Sequence, residues 1–213
     1  MKKSFTILIA LVVLGAAFNG CYKAPIKRYY TLVNQTAPAG QASPLCAKPL
    51  ALASVSAEPP YNSTRIVFRT DDYEIKFYNY RFWAAAPEDM MRRLLDEKLS
   101  AAGLFTEIQS YIHATDDHLG LFVKIVALEE LDDGKDWTGR LAMSFALKDP
   151  ATEAVLWSHS FDARKKAQAR TLVALMEALS QIYNAEFDKM RRSLAAYLAN
   201  APICRPSQIS GLE

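Results

Sequence analysis

The chain carries three histidines, and each stands beside residues it could work with. In "HATDDH", His113 and His118 bracket Asp116 and Asp117. Imidazole and carboxylate together can hold a divalent cation. That spacing matches none of the usual zinc patterns, and no further ligand set accompanies it. A polar loop with its acids and histidines in water accounts for the same residues. In "SHS", His159 lies between Ser158 and Ser160. A nucleophilic Ser–His pair needs the two side chains to meet, whereas adjacent strand residues point to opposite faces. Alternation groups His159 with Val155, Trp157 and Phe161, so it reads as a partly buried, hydrogen-bonded histidine. "DDGKD", Asp132 to Asp136, begins like a calcium loop. The third and twelfth positions, which need oxygen ligands, hold Gly134 and Met143. A hairpin turn explains those residues better. There is no GxSxG elbow, phosphate-cradling glycine loop or dinucleotide fingerprint. The sequence therefore assigns no catalytic residue, no metal ligands and no cofactor. A hydrolase built on the three histidines is the least favoured reading.

The cysteines offer different chemistry. Lys2 and Lys3 precede an apolar run, Phe5 to Phe18, which leads to Gly20 and Cys21. The run is about 14 residues, right for a secretory signal and short for a membrane-spanning helix. Phe18-Asn19-Gly20-Cys21 resembles a lipobox, at which bacterial lipoproteins are acylated on cysteine, palmitate being one such chain, and cleaved before it. Gly20 supplies the small residue at the scissile bond, while Phe18 and Asn19 stand where Leu and Ala or Ser are usual. The expectation is a signal peptide over 1–20 and a lipid on Cys21; an uncleaved signal anchor with an incidental cysteine is the alternative. Two or more acyl chains anchor stably where one is marginal. Cys46 and Cys204 remain. In an oxidising compartment an even pair is a disulfide candidate, and two free thiols on mobile tails is the other reading.

Charge narrows the partners. The whole chain has 25 basic and 23 acidic residues. Cleavage before Cys21 removes Lys2 and Lys3 and leaves the charges balanced, with no basic field to favour nucleic acid.

The elements that would position these groups follow from periodicity and punctuation. Residues 21–49 read as a lipidated tether, with Pro25, Pro38, Pro44, Pro49 and Gly40 among Ala, Ser and Gln and one short strand in "RYYTLV". Its expected task is to hold the domain off the bilayer. An α+β domain is expected over 50–200 and a C-terminal tail over 201–213. "LALASVSA" reads as a strand, and "RIVFR" and "YEIKFY" as a hairpin. Pro87 suits the first position of a helix with Glu88 and Asp89 in its first turn. Met90, Met91, Leu94, Leu95 and Leu99 recur at helical spacing, and Gly103 closes the helix. "LFTEIQSYI" reads as a further strand. "LGLFVKIVALEEL", "RLAMSFALKD" and "AVLWSHSF" read as an antiparallel meander. A long helix runs from about 169 to 199. Its stripe is Leu172, Val173, Leu175, Met176, Leu179, Ile182, Tyr183, Phe187, Met190, Leu194 and Leu198. Together these predict a twisted, mostly antiparallel sheet packed against two helices on one face, the C-terminal one long.

The aromatic stretch "FYNYRFWAAAP" is the most unusual part of the folded region. A core plug is one reading. A partner or lipid contact is the other, since aromatics and arginine favour interfaces. Trp83 is expected to be packed, with Tyr80, Arg81 and Phe82 as candidate contact residues.

"RYYTL" shortly after the lipobox cysteine, "YNYRFWAAAPEDMMRRLLDEKLSAAGLF", and "EAVLWSHSF" ahead of a long helix resemble the ABC-type transport auxiliary lipoproteins, the PqiC-like group. Tyr29, Tyr30 and Leu32 match the family's early strand, and Trp83 with Pro87 its Trp–Pro pair at the helix start. The resemblance covers most of 28–195. It implies a lipid-anchored periplasmic protein beside an ABC permease and ATPase whose substrate-binding subunit is an MCE-domain protein. Such systems move lipids or other hydrophobic molecules between membranes, so the implied role is non-catalytic docking. Tyr22, not Asp, follows Cys21, which favours the periplasmic face of the outer membrane. Homo-oligomerisation stays open. Docking on another envelope machine, in cell-wall synthesis or outer-membrane assembly, is the main rival.

Overall fold

A computed structural model describes residues 25–35, 43–110 and 117–205. Along the chain, β1 is Arg28–Tyr30, β2 Leu50–Ala57, β3 Arg65–Arg69 and β4 Lys76–Trp83. Helix α1 (Pro87–Ala102) follows, then β5 (Ile108–Gln109), β6 (Leu119–Asp132), β7 (Trp137–Lys148) and β8 (Val155–Lys166). Helix α2 (Leu172–Leu198) and a short 3-10 turn, Pro202–Cys204, complete it. The class is α+β, with a curled sheet, two helices and a long C-terminal helix.

The long ladders are antiparallel, β6 with β7 and β7 with β8, as the meander requires. Shorter parallel pairings complete a mixed sheet: β2 and β3 lie end to end along β6, β5 joins β2, and β1 joins β4. The parallel arms arise because the chain returns to β6 by way of α1, and a crossover of that kind brings strands together in the same direction.

Strand β6 organises the core. Ile125 pairs with Met143 and Ala127 with Ala142, leaving Val126 unpaired in a bulge. A one-residue insertion flips strand phase. Leu121, Val123 and Ile125 therefore face the helices before the bulge, and Leu128 and Glu130 after it. Leu141, Met143, Phe145 and Leu147 of β7 join them, all essentially buried. At Gly139 the helix comes closest: a Cβ there would lie 2.9 Å from the Leu179 side chain.

Helix α1 starts at Pro87 and stops at Gly103, whose φ of 63° is the left-handed cap that glycine permits. Its stripe of Met90, Met91, Leu94, Leu95 and Leu99 is buried. Thr171 caps α2 by accepting the Ala174 N–H. The expected α2 stripe is buried except Val173, which is 62% exposed on the opposite side of the first turn.

The N-terminal boundary lies earlier than the composition suggests. Residues 28–35 belong to the packed body. Leu32 is fully buried. Asn184 of α2 accepts the Gln35 N–H at 2.9 Å and donates to the Val33 carbonyl at 3.1 Å, while Ser180 Oγ accepts the Val33 N–H. Asn34 Nδ2 donates to the Leu94 carbonyl of α1. This extended segment fills the groove between the helices, and its backbone bonds explain two buried polar residues on α2. At the other end, Ala201 and Cys204 are buried, so the tail begins after the 3-10 turn. Cys46 and Cys204 form a disulfide that joins residues 158 apart in sequence.

Candidate interaction site

The aromatic stretch forms most of β4, and its geometry is irregular. Arg65 pairs with Phe82 and Val67 with Phe77, so five steps along β4 match two along β3. The excess chain bulges at Tyr78 to Arg81. Bulges at sheet edges re-aim side chains, and this one opens a cleft of about 610 Å³ between the bulge and the segment entering β1. Pro25, Ile26 and Arg28 line one side; Tyr78, Tyr80 and Arg81 line the other. Among the described residues, no strand pairs with Lys76–Tyr80 on the side away from β3.

Arg28 and Arg81 are register partners in the parallel β1–β4 pair, so the two side chains leave the sheet on the same face. Neither guanidinium has an ion-pair partner among the described residues. The Arg81 guanidinium lies 5.5 Å from the Tyr78 ring centroid. Like charges side by side repel, and an anion between them relieves that. Ile26, 74% exposed, and Tyr80, 47% exposed, bring apolar surface to the lining, while Tyr29, 63% exposed, leaves the same edge on the other face of the sheet.

Beneath the cleft lies a buried acid. The Tyr78 hydroxyl donates to the Glu130 carboxylate, 3.0 and 2.9 Å from its two oxygens. Burial pushes the Glu130 carboxyl up to about 7, against a smaller opposing effect of the Tyr78 hydrogen bond. Burial and the Glu130 charge push the Tyr78 hydroxyl well above its ordinary range. On the opposite face, Glu129 accepts from Tyr61 at 2.7 Å, Arg69 at 2.7 Å and Arg140 at 2.9 Å. Arg140 also forks onto Asp162. This ladder ties β3, β6, β7 and β8 together, and its acid is fully satisfied.

The residues singled out in the sequence separate here. Tyr80 and Arg81 line the cleft. Phe82 stacks against Tyr29 at 5.9 Å beside it, with Lys27 over its ring. Trp83 is 2% exposed, packed as expected. Cys21, His113 and Asp116 lie outside the described residues. His159 stacks on Trp157 at 6.0 Å, but its Nε2 is buried without a hydrogen-bond partner, so the expected bond is absent. Val155 leaves that row because β8 is irregular between Val155 and Trp157. "DDGKD" is a turn: Asp132 and Asp133 carboxylates accept the Gly134, Lys135 and Asp136 N–H groups. Among the described residues, no group of three acids, histidines or cysteines converges as metal ligands, and no helix is long and apolar enough to cross a membrane. The sequence reading missed Pro25, Ile26 and Arg28, which it gave to the tether, and Glu129 and Glu130. Two adjacent acids in the apolar run "IVALEEL" were the available signal.

The chain is thus an α+β domain whose sheet edge carries a basic, aromatic cleft. The family model for the ABC-type transport auxiliary lipoprotein component matches residues 30–190, and the chain belongs to that family. Membership gives it an auxiliary place in ABC-type transport and implies attachment to a membrane of the cell envelope. It also suggests a role without catalysis. Among solved structures, a DUF330-family protein from Xanthomonas campestris superposes with a TM-score of 0.68 at 18% identity, covering 80% of this chain and 96% of that one. A second, uncharacterised protein superposes with a TM-score of 0.62 at 17% identity, covering 80% and 99%. At such identities the likeness is one of fold. No curated protein matches significantly.

Proposed function

We propose that this protein is the lipid-anchored accessory component of an MCE-type ABC transporter that moves lipids or other hydrophobic molecules between membranes. The family match over residues 30–190 is the observation that carries this reading. In it, Cys21 bears the acyl chains, and the domain works at the periplasmic face of the outer membrane. There it docks on an MCE-domain protein joined to a permease and an ATPase. The domain binds and positions, without catalysis, and Tyr80, Arg81 and Phe82 are offered as residues that contact a partner or lipid.

Affinity capture of the full chain from detergent-solubilised membranes tests the partnership. Co-purification of an MCE-domain protein with a permease and an ATPase is the expected result. Capture of cell-wall synthesis or outer-membrane assembly proteins instead would refute it. Membrane fractionation tests the anchor: Cys21→Ala should leave a folded domain free of the membrane, and retention of the variant there would overturn the lipidation.

A further inference from the structure

The structure puts the cleft close to the anchor. Pro25 and Ile26 form one wall of it, and Pro25 is four residues from Cys21. A fully extended chain covers at most about 3.6 Å per residue, so the Pro25 Cα lies within about 14 Å of the Cys21 Cα. With Cys21 acylated, that cysteine sits among the lipid headgroups. A domain whose body begins at Arg28 then has no long tether to lift it clear. The expectation of a spacer over 21–49 fails because residues 28–35 are bound into β1 and the interhelical groove.

We infer that the β1–β4 edge rests on the bilayer carrying the anchor, with a phospholipid phosphate seated between Arg28 and Arg81. The inference builds on the acylation of Cys21 proposed above. Three observations point to this occupant. First, the distance bound holds this edge, rather than the β8 edge at the far side of the sheet, against the membrane. Second, Arg28 and Arg81 are in-register neighbours that form no salt bridge among the described residues. Guanidinium is well suited to phosphate oxygens. Third, Ile26 and Tyr80 are exposed in the lining, and Tyr29 is exposed on the other face of the same edge. Tyrosine favours the membrane interface, where the ring meets acyl chains and the hydroxyl meets water. Lys27, over the Phe82 ring, adds a cation at the same edge.

Site-directed spin labelling of the full, acylated chain tests this. Single cysteines replace Ile26, Tyr80 or, as a far-edge control, Val155, which is 58% exposed. With Cys21 acylated and Cys46–Cys204 closed, the introduced cysteine is the free thiol. The labelled chain is reconstituted in vesicles of phosphatidylethanolamine and phosphatidylglycerol, and nitroxide relaxation by oxygen and by a water-soluble nickel chelate is compared. Sites 26 and 80 should show a several-fold lower nickel-to-oxygen ratio than site 155. Arg28→Gln with Arg81→Gln should return site 80 toward the control while the chain stays anchored. Equal ratios at all three sites in an anchored chain would overturn this inference and leave the anchor standing. Low access to both relaxants at site 80 would overturn it in favour of a second copy on the edge. A chain that never attaches would overturn the anchor, and this inference with it.

Discussion

Glu130→Gln isolates the cost of the buried acid beneath the cleft. The folded protein holds the Glu130 carboxyl at about 7, above the ordinary glutamate value of 4.5. Burial is the main cause; the Tyr78 hydrogen bond and the Arg170 and Arg81 charges oppose it, and Asp132 adds to it. The raised value means that the folded state holds its proton where the unfolded chain has lost it. Stability therefore falls as pH rises from below 4.5 through 7, and the cost is full only above the folded value. Glutamine still accepts from the Tyr78 hydroxyl and never ionises. With 1.36 kcal/mol per pKa unit, the stability of Glu130→Gln relative to wild type should rise by about 2 to 3 kcal/mol between about pH 5 and about pH 8. Urea unfolding at several pH values, in a Cys21→Ala background that keeps the chain in solution, measures it through tryptophan fluorescence. Using the difference between the two proteins cancels every other titrating group. Parallel stability profiles would show that Glu130 ionises as easily folded as unfolded, and the account of its burial would be wrong.

Three further outcomes follow from the packing. Gly139→Ala pushes a methyl group against the buried Leu179 side chain, so it should destabilise by about 1–3 kcal/mol. Combined with Leu179→Ala it should cost less than the sum of the two changes made singly, and strict additivity in that double-mutant cycle would rule out the contact. Asn184→Ala deprives residues 33 and 35 of their side-chain partner. Limited proteolysis should cut residues 25–35 much faster with helical circular dichroism kept, and an unchanged cleavage rate would deny the docking of that segment. Cys46→Ser with Cys204→Ser opens a loop spanning 158 residues, which loop entropy values at about 5 kcal/mol at most. Urea midpoints of the double variant and wild type give the difference, and identical midpoints would mean that the bond leaves the denatured chain unconstrained.

What could be read from the sequence was what is encoded locally. Pro87 and Gly103 bracket α1 because one suits a first helical turn and the other a left-handed cap. "LALASVSA" and "RIVFR" are strands to the residue. β4 was legible only in its first half, because the bulge at Tyr78 to Arg81 breaks the two-residue period on which a strand is recognised. The docking of residues 31–35 depends on Ser180 and Asn184, about 150 positions away, and no local pattern encodes such a pair. The cleft was half legible for the same reason. Tyr80 and Arg81 stand out as an aromatic, basic run, whereas Ile26 resembles linker, and Arg28, which reads as the start of a short strand, meets the cleft only when β1 is laid beside β4. Pairing of Cys46 with Cys204 likewise needs the fold, since spacing alone never fixes connectivity.

The fold also determines how a pull on the N-terminus would reach the domain. Strand β1 is three residues long and pairs in parallel with β4, so tension from residue 25 loads its few ladder bonds along the strand axis. Behind it, the backbone of residues 33 and 35 is held by Ser180 and Asn184 of α2, and the Asn34 side-chain amide donates to the Leu94 carbonyl of α1. Both helices share the load before the core is strained. The aromatic contact of Tyr29 with Phe82 adds a side-chain hold between β1 and β4. A chain anchored at Cys21 would thus have only a few residues between its anchor and the cleft. Under the proposed acylation of Cys21, that short connection would set the β1–β4 edge against the lipid and turn the β7–β8 side of the sheet away from it.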